Sequence, residues 1–288
     1  MVGNDGPSPA AATRLRVGLA QMTSTSDMAA NIAAAEAMIR EAHAQGAQWV
    51  LTPEATSLLA YDRDYLRRTV RPEDADRALA RFREIASELG IWLLIGSLPL
   101  SDGDKIANRC FMIAPNGRIA ARYDKLHLFD VDLGEGRVYR ESAAYTAGST
   151  GELVETPWGL VGLSICYDLR FPHLFRRYAQ AGARFLTVPS AFTPWTGEAH
   201  WHVLLRARAI ETGCFVLAPA QVGEHGGGRA TFGHSLVVDP WGRILGDGGD
   251  APGLLVVDLD LDEVETARRK IPSLRHDVAF EIRRNDPV

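Results

Sequence analysis

Three side chains carry more chemistry than their places in the chain require: Cys166, Lys125 and Glu54. Cys166 closes the apolar run Val161 to Ile165 and is followed at once by Tyr-Asp-Leu-Arg-Phe-Pro. A nucleophile at the C-terminal end of a strand projects above the sheet, beside free backbone N–H groups that can hold an oxyanion. Lys125 stands in Tyr-Asp-Lys-Leu-His-Leu-Phe among the apolar neighbours Leu126, Leu128 and Phe129. An ammonium in such a setting lowers the pKa of a nearby thiol and binds a developing negative charge. Glu54 follows the short apolar segment Gln48 to Thr52 and Pro53. A thiol alone is a weak nucleophile. A carboxylate to take its proton and a cation to hold the resulting charge form one complete solution. Each residue also has an ordinary explanation, as a buried strand-end cysteine, a solvated loop lysine and a helix-capping glutamate. Their shared position after strand ends of an α/β pattern, where sites collect, favours the chemical reading. Whether they meet in space is left open by the sequence.

The remaining chemistry-bearing residues support other readings less well. Cys110 and Cys214 lie inside or at the start of strand patterns and read as small buried hydrophobes. Three cysteines about fifty residues apart, with no Cys-x-x-Cys, make neither a disulfide framework nor a structural zinc site. His200 and His202 are two apart, so on a helix they point about 200° away from each other and share no metal. Gly-Leu-Ser-Ile-Cys lacks the second glycine of a serine nucleophile elbow. No phosphate-binding glycine motif occurs, and Gly226-Gly227-Gly228 reads as a loop tip.

The elements that must position the three residues alternate between β-rich and helical runs. Strands are expected at Leu15 to Gln21, Gln48 to Thr52 and Trp92 to Leu98, the last apolar almost throughout and so covered on both faces. Asn108 to Ala114 and Arg118 to Arg122 flank Pro-Asn-Gly, a hairpin signal. Further strands are expected at Leu160 to Ile165, Phe185 to Pro189, Phe215 to Ala220, Ser235 to Asp239 and Leu254 to Asp258, roughly ten in all. Helices are expected at Met28 to Ala44 capped by Asp27, at Pro72 to Leu89 ended by Gly90, and at Leu174 to Ala181, Glu198 to Thr212 and Asp262 to Arg269. The turn Pro240-Trp241-Gly242 implies a hairpin and hence mixed sheets. We read one α/β domain over residues 14–288, preceded by a disordered tail (1–13) and ending in an arm from about Pro272 that crosses to a partner.

Composition bounds the possible partners. The chain has 288 residues, 46% hydrophobic and 23% charged, with 31 Lys plus Arg against 36 Asp plus Glu and a net charge of −5. An acidic balance argues against a nucleic-acid or anionic-membrane footprint. Apolar runs such as Ile91 to Ile95 are far short of the roughly 20 residues that span a bilayer. The first fourteen residues carry no cationic start and no apolar core of a secretory signal, so the chain reads as a soluble cytoplasmic protein.

The segments around Glu54 (Thr-Pro-Glu), Lys125 (Tyr-Asp-Lys-Leu-His-Leu-Phe-Asp) and Cys166 (Ser-Ile-Cys-Tyr-Asp-Leu-Arg-Phe-Pro) resemble, in order, the three signature segments of the nitrilase superfamily of carbon–nitrogen hydrolases. The resemblance runs from about Arg14 to Asp277. It implies Glu54 as general base, Lys125 as electrostatic stabiliser and Cys166 as nucleophile, with Glu141 in Tyr-Arg-Glu-Ser beside the lysine. It also implies a four-layer α-β-β-α sandwich and a homodimer or larger homo-oligomer. The stretches Pro189 to Thr212 and Gly233 to Gly242 look like the Nit branch of amidases, and Ile210 to His225 looks closer to its deaminated-glutathione enzymes than to its omega-amidases.

The expectation is therefore a thiol amidase that needs neither cofactor nor metal. It hydrolyses a primary amide to carboxylate and ammonia, with deaminated glutathione the leading substrate. Two alternatives stay open: an omega-amidase acting on α-ketoglutaramate or α-ketosuccinamate, and a non-catalytic interaction protein of the same fold. Tyr167 and Arg170 just past the cysteine are expected to position substrate, Arg206 and Arg208 are available to pair with its carboxylates, and the Trp195 segment and the 224–229 loop are expected to line the groove.

Overall fold

The computed structural model describes residues 13–284 except positions 61 and 135, so the expected N-terminal tail, all but its last residue, falls outside the described residues. β1 (Arg14–Gln21) leads into α1 (Met28–Ala44), which starts where expected because the Asp27 carboxylate accepts from the Ala30 N–H at 3.0 Å. After β2 (Trp49–Leu51) comes α2 (Arg63–Thr69), a helix the sequence reading missed. Seven residues are too few to show a helical period, and only the Asp62 cap announces it. The helix expected from Pro72 instead begins as a single 3-10 turn at 73–75. Asp76 then returns to extended backbone and caps α3 (Arg77–Leu89), which Gly90 ends at φ 65°.

β4 (Lys105–Ile113) and β5 (Ile119–Asp124) form the expected hairpin, and β3 (Trp92–Asp102) pairs antiparallel with β4, an arrangement the sequence reading did not anticipate. Short pieces follow: β6 (Asp130–Asp132) paired with β7 (Val138–Arg140), then β8 (Tyr145–Thr146). β9 (Leu153–Thr156), β10 (Gly159–Leu163), α4 (Pro172–Gln180), β11 (Ala183–Thr187), α5 (Pro194–Thr212) and β12 (Phe215–Ala218) come next. The chain continues through the β13 (Val222–Glu224) and β14 (Ala230–Phe232) hairpin, β15 (Leu236–Val238), β16 (Ile244–Asp247), β17 (Gly253–Asp260) and α6 (Asp262–Lys270).

Both large sheets are mixed, as the hairpin signals required. One runs β17-β1-β2-β3-β4-β5, with β8 beside β4, and the other β16-β15-β12-β11-β10-β9. Period-two alternation sorts the first sheet's side chains. Trp49, Leu51, Leu94, Cys110 and Met112 face the second sheet, where Trp49 stacks on Trp158 with centroids 6.4 Å apart and meets Phe185 edge-on at 5.8 Å. The intervening Val50, Leu93, Ile95, Phe111 and Ile113 face α1 and α3 through Ala35, Ile39, Phe82 and Ile85. On the far side α4 and α5 cover the second sheet with Phe175, Tyr178, Trp201 and Leu205. The layers are therefore α-β-β-α. Cys110 and Cys214 are fully buried, as expected of them. No helix among the described residues is long and apolar enough to cross a membrane.

One glycine sets how closely the sheets approach at their strand ends. Gly96 lies at a register shift in β3, and a Cβ there would sit 2.2 Å from the Thr52 carbonyl oxygen and 2.5 Å from Pro189 Cβ. Those residues lead to Glu54 on one sheet and accept from the Cys166 N–H on the other, since the Pro189 oxygen takes that bond at 3.0 Å. Gly96→Ala is expected to cost about 1–3 kcal/mol by overpacking and to displace both strand ends. Urea unfolding combined with a hydrolysis assay checks it: unchanged stability would show that the close approach is not a constraint.

Candidate active site

Cys166 sits just past β10, at the start of a 3-10 turn over 166–170, with φ 49°. That left-handed conformation is strained for a residue with a Cβ and persists only where neighbours enforce it. The enforcement is local. Asp168, fully buried, accepts from the Ile165 N–H (2.8 Å), the Tyr123 hydroxyl (2.7 Å) and the His127 N–H (3.0 Å), and its Oδ1 lies 2.7 Å from His127 Nδ1. His127 in turn stacks on Phe171, centroids 3.5 Å apart. One carboxylate therefore ties the cysteine turn to the segment that carries Lys125.

Lys125 follows β5 directly and is 2% exposed. Its Nζ lies 2.9 Å from Glu54 Oε1 and 3.1 and 3.0 Å from the two oxygens of Glu141. Glu54, 6% exposed, also accepts from Asn108 Nδ2 at 2.9 Å and, through Oε2, from the Ala191 N–H at 2.9 Å. Glu141 begins a 3-10 turn after β7 and accepts from the Phe129 N–H at 2.6 Å. Ala55, next to Glu54, takes φ 57°, and its N–H donates to Ser97 Oγ at 2.8 Å.

Burial pushes the Cys166 thiol well above its ordinary range, and the adjacent Glu54 carboxylate adds to this against the pull of Lys125. Burial alone would raise Glu54. The Lys125 ammonium and the hydrogen bonds from Lys125, Cys166 and Asn108 outweigh it and hold the carboxyl below its usual value. For Lys125 burial acts downward, but the carboxylates of Glu141 and Glu54 outweigh it and hold the ammonium charged. The resting state is a thiol beside a carboxylate and an ammonium. It is not a thiolate.

The structure thus brings Glu54, Lys125, Glu141 and Cys166 to the floor of one pocket of about 300 Å³, with Tyr167 in its lining. It separates the three arginines expected to meet substrate carboxylates. Arg170 lies outside the lining, with Nη2 3.2 Å from His200 Nδ1 and its guanidinium over the Phe192 ring. Arg206 donates to the Gly242 oxygen, and buried Arg208 donates to the Leu169 oxygen and to Glu211, so both serve the fold. Trp195 is 55% exposed beneath Arg137 and also lies outside the lining, whereas Arg229 of the 224–229 loop is part of it.

Sequence reasoning missed Asn108, Asp168 and His127. The signals were there: a polar residue inside the buried pattern of β4, and an Asp and a His each two places after a residue already singled out. His202 pairs not with His200 but with Asp247, which also accepts from His234. Ligand atoms of these three lie within 4.8 Å of one another, away from the pocket, where Asp247 meets one nitrogen of each imidazole.

Comparison with known proteins agrees with this geometry. Residues 16–269 match the model of the carbon–nitrogen hydrolase family. A deaminated glutathione amidase from Yersinia enterocolitica is 41% identical over 265 residues, covering 90% of this chain and 92% of its own. Saccharomyces cerevisiae Nit3, described as a member of branch 10 of the nitrilase superfamily, superposes with a TM-score of 0.83 at 29% identity over 94% of this chain and 99% of its own. A variant of an amidase from Nesterenkonia, with acrylamide added at its active-site cysteine, does so with a TM-score of 0.75 at 32% identity over 90% and 98%.

The shifts fix the pH behaviour. Glu54, held low, contributes stability above the ordinary carboxylate value near 4.3 and loses it as pH falls through its folded pKa. Lys125, held high, contributes fully below about 10.4 and loses it only as pH rises through its folded pKa. Neither Glu54, Lys125 nor Cys166 should titrate between about pH 5 and 9, and iodoacetamide labelling of Cys166 in the free protein should climb with pH through 9 without levelling off. A labelling plateau between pH 6 and 8 would mean a resting thiolate and a different arrangement of charge. In Lys125→Met the downward pull on Glu54 is lost and burial prevails, so the acid limb of activity should move to higher pH.

Proposed function

We propose, for a chain that belongs to the carbon–nitrogen hydrolase family, a thiol amidase reaction carried by Glu54, Lys125 and Cys166. The carrying observation is the contact of Glu54 and Lys125 at 2.9 Å on the floor of the pocket that holds Cys166 in its strained turn. Glu54 takes the thiol proton as sulfur attacks the amide carbon. Lys125 and the backbone N–H after Cys166 hold the tetrahedral oxyanion. Glu54 then returns the proton to the nitrogen as the C–N bond breaks, leaving a thioester. Water deprotonated by Glu54 attacks that thioester, releasing the carboxylic acid and regenerating the thiol. Glu141 positions Lys125 and the substrate. A non-catalytic role is disfavoured because every group this sequence of steps needs is present and in contact.

Deaminated glutathione is the substrate we favour, because relatives about 41% identical over 90% of this chain carry that name. Glutathione contains only secondary amides, so its deaminated form releases a peptide amine where the sequence reading expected ammonia. Ammonia is the mark of the alternative substrate, α-ketoglutaramate. We also propose one hydrolase domain from residue 14 onward, a cytoplasmic location consistent with three unpaired cysteines, and a homodimer. Exposed Val203 and Ile210 on α5, with Trp241 and Ile271 nearby in the surface, support the dimer. Light scattering that gives a monomer mass at micromolar concentration removes it.

Cys166→Ala should abolish turnover, and mass spectrometry of a quenched reaction should find the acyl group on Cys166. Glu54→Gln should stop acylation, while Glu141→Gln should reduce it less completely. Turnover by Cys166→Ala at the wild-type rate would exclude the mechanism. In a competition assay deaminated glutathione should be hydrolysed with the higher kcat/KM, and preference for α-ketoglutaramate would select the omega-amidase reading.

A further inference from the structure

Three non-glycine residues among those described adopt a positive φ. Two of them, Ala55 and Cys166, belong to the pocket. The third is His234, at φ 56° just before β15 and outside the pocket lining. A left-handed backbone on a residue with a Cβ persists only where its neighbours enforce it. Here they do. The His234 N–H donates to the Gly249 oxygen at 2.8 Å, and the His234 carbonyl accepts from Trp201 Nε1 at 2.8 Å. Its ring stacks on Phe232 with centroids 4.5 Å apart. Phe232 in turn lies against Gly197 of α5, where a Cβ would stand 2.3 Å from the phenyl ring.

This backbone aims an imidazole at Asp247, the last residue of β16. His234 Nδ1 lies 2.9 Å from Asp247 Oδ1, and His202 Nε2, carried by α5, lies 2.9 Å from Asp247 Oδ2. The Gly249 N–H donates to Asp247 Oδ1 at 2.9 Å and orients the carboxylate. Burial alone would raise the Asp247 carboxyl, but the hydrogen bonds from His202, the Gly249 N–H and His234 outweigh it and keep the group ionised. Among the described residues no lysine or arginine lies within ion-pair distance of Asp247. Imidazoles stand there instead, and an imidazole, unlike an ammonium or a guanidinium, also offers a lone pair to a metal. All three side chains are partly open to solvent, so an ion can reach them. Two imidazoles and one carboxylate are the donor set of a facial triad for a first-row divalent metal. With bonds of about 2.1 Å, ligands at right angles stand about 3.0 Å apart and tetrahedral ones about 3.4 Å. Both nitrogen–oxygen separations, at 2.9 Å, match the right-angled set.

We propose that His202, His234 and Asp247 form a site for a six-coordinate first-row divalent metal ion, which clamps α5 to the β15–β16 hairpin and takes no part in the amide chemistry. Binding moves each ring's proton to its outer nitrogen, and the lone pairs left facing Asp247 become ligands. The opposite face of the ion stays open to water. Arg206, one turn after His202 on α5, already ties the helix to the same hairpin through the Gly242 oxygen. The connection to the pocket is mechanical: Trp201, bonded to the His234 carbonyl, packs against the Phe192 ring of the pocket wall at 4.9 Å. The sequence hid this set because its members come from three elements, whereas the neighbouring His200 is engaged by Arg170.

The probe is Co²⁺, titrated into full-length, tag-free protein stripped with a chelator. The Cys166→Ala background is used so that the pocket thiol cannot act as a ligand. Calorimetry should find one Co²⁺ per chain, with the weak visible absorption of a six-coordinate ion, and Co²⁺ should raise Tm. His202→Gln and His234→Gln should each weaken binding about ten-fold or more and remove the rise in Tm. Asp247→Asn, which keeps an oxygen for the imidazoles but loses the charge, should do the same. Circular dichroism of each metal-free variant verifies that it folds, and the titration of the parent protein stands whether or not a variant does. Absence of Co²⁺ binding, the intense absorption of a four-coordinate ion, or binding that survives His202→Gln and His234→Gln overturns the proposal and leaves the three residues a hydrogen-bonded clamp.

Discussion

A lysine ammonium 2% exposed is the constraint on which the rest of the site depends. Taking such a charge out of water costs several kcal/mol unless carboxylates meet it with good geometry. Lys125 is met twice, by Glu54 arriving after β2 and by Glu141 from the turn after β7. Three distant stretches of chain are thereby fixed to one point. Two carboxylates around one ammonium would in turn leave a lone pair unsatisfied, and Asn108 and the Ala191 N–H supply the missing donors. The Ala191 bond matters most, because that residue follows the second sheet while Glu54 follows the first. The charge cluster is thus also a bridge between sheets.

The thiol is placed by a second buried carboxylate working on the same principle. Asp168 is fully buried and receives bonds from the backbone just before Cys166 and from Tyr123 and His127 on either side of Lys125. A donor set of that size holds the left-handed backbone at Cys166, a conformation that alone would relax. Nucleophile and cation are therefore positioned relative to each other by a group that touches neither the substrate nor the thiol. The remaining freedom, the spacing of the two sheets, is set by the absence of a side chain at Gly96.

Much of this was legible in the sequence for identifiable reasons. β1, α1, β3, the β4–β5 hairpin and α4 to α6 showed their period or caps, since each is long enough to bury a face. The three reactive residues stood out because each follows a strand end, with Lys125 set among apolar neighbours. Their meeting did not show, because it depends on two sheets closing face to face. Nor did α2 or the β6–β7 and β13–β14 hairpins, whose three to seven residues carry no resolvable period and whose conformation is set by what they pack against. Asn108 and Asp168 were invisible as a pair with their partners, since a polar residue in a buried pattern shows that a partner exists without saying which.

That division follows the chemistry. Lys125 and Cys166 are bound at the ends of β5 and β10 of the two large sheets, where the surrounding apolar layers exclude solvent, while Glu54 and Glu141 reach them from just past the three-residue β2 and β7. The pocket mouth is lined from short elements as well: Arg63 from α2, Arg140 from the end of β7 and Arg229 from the loop between β13 and β14. Arg170, Arg206 and Arg208, expected to pair with substrate carboxylates, lie instead outside the pocket lining on the turn and helix beside the nucleophile, where backbone carbonyls and neighbouring side chains engage their guanidiniums.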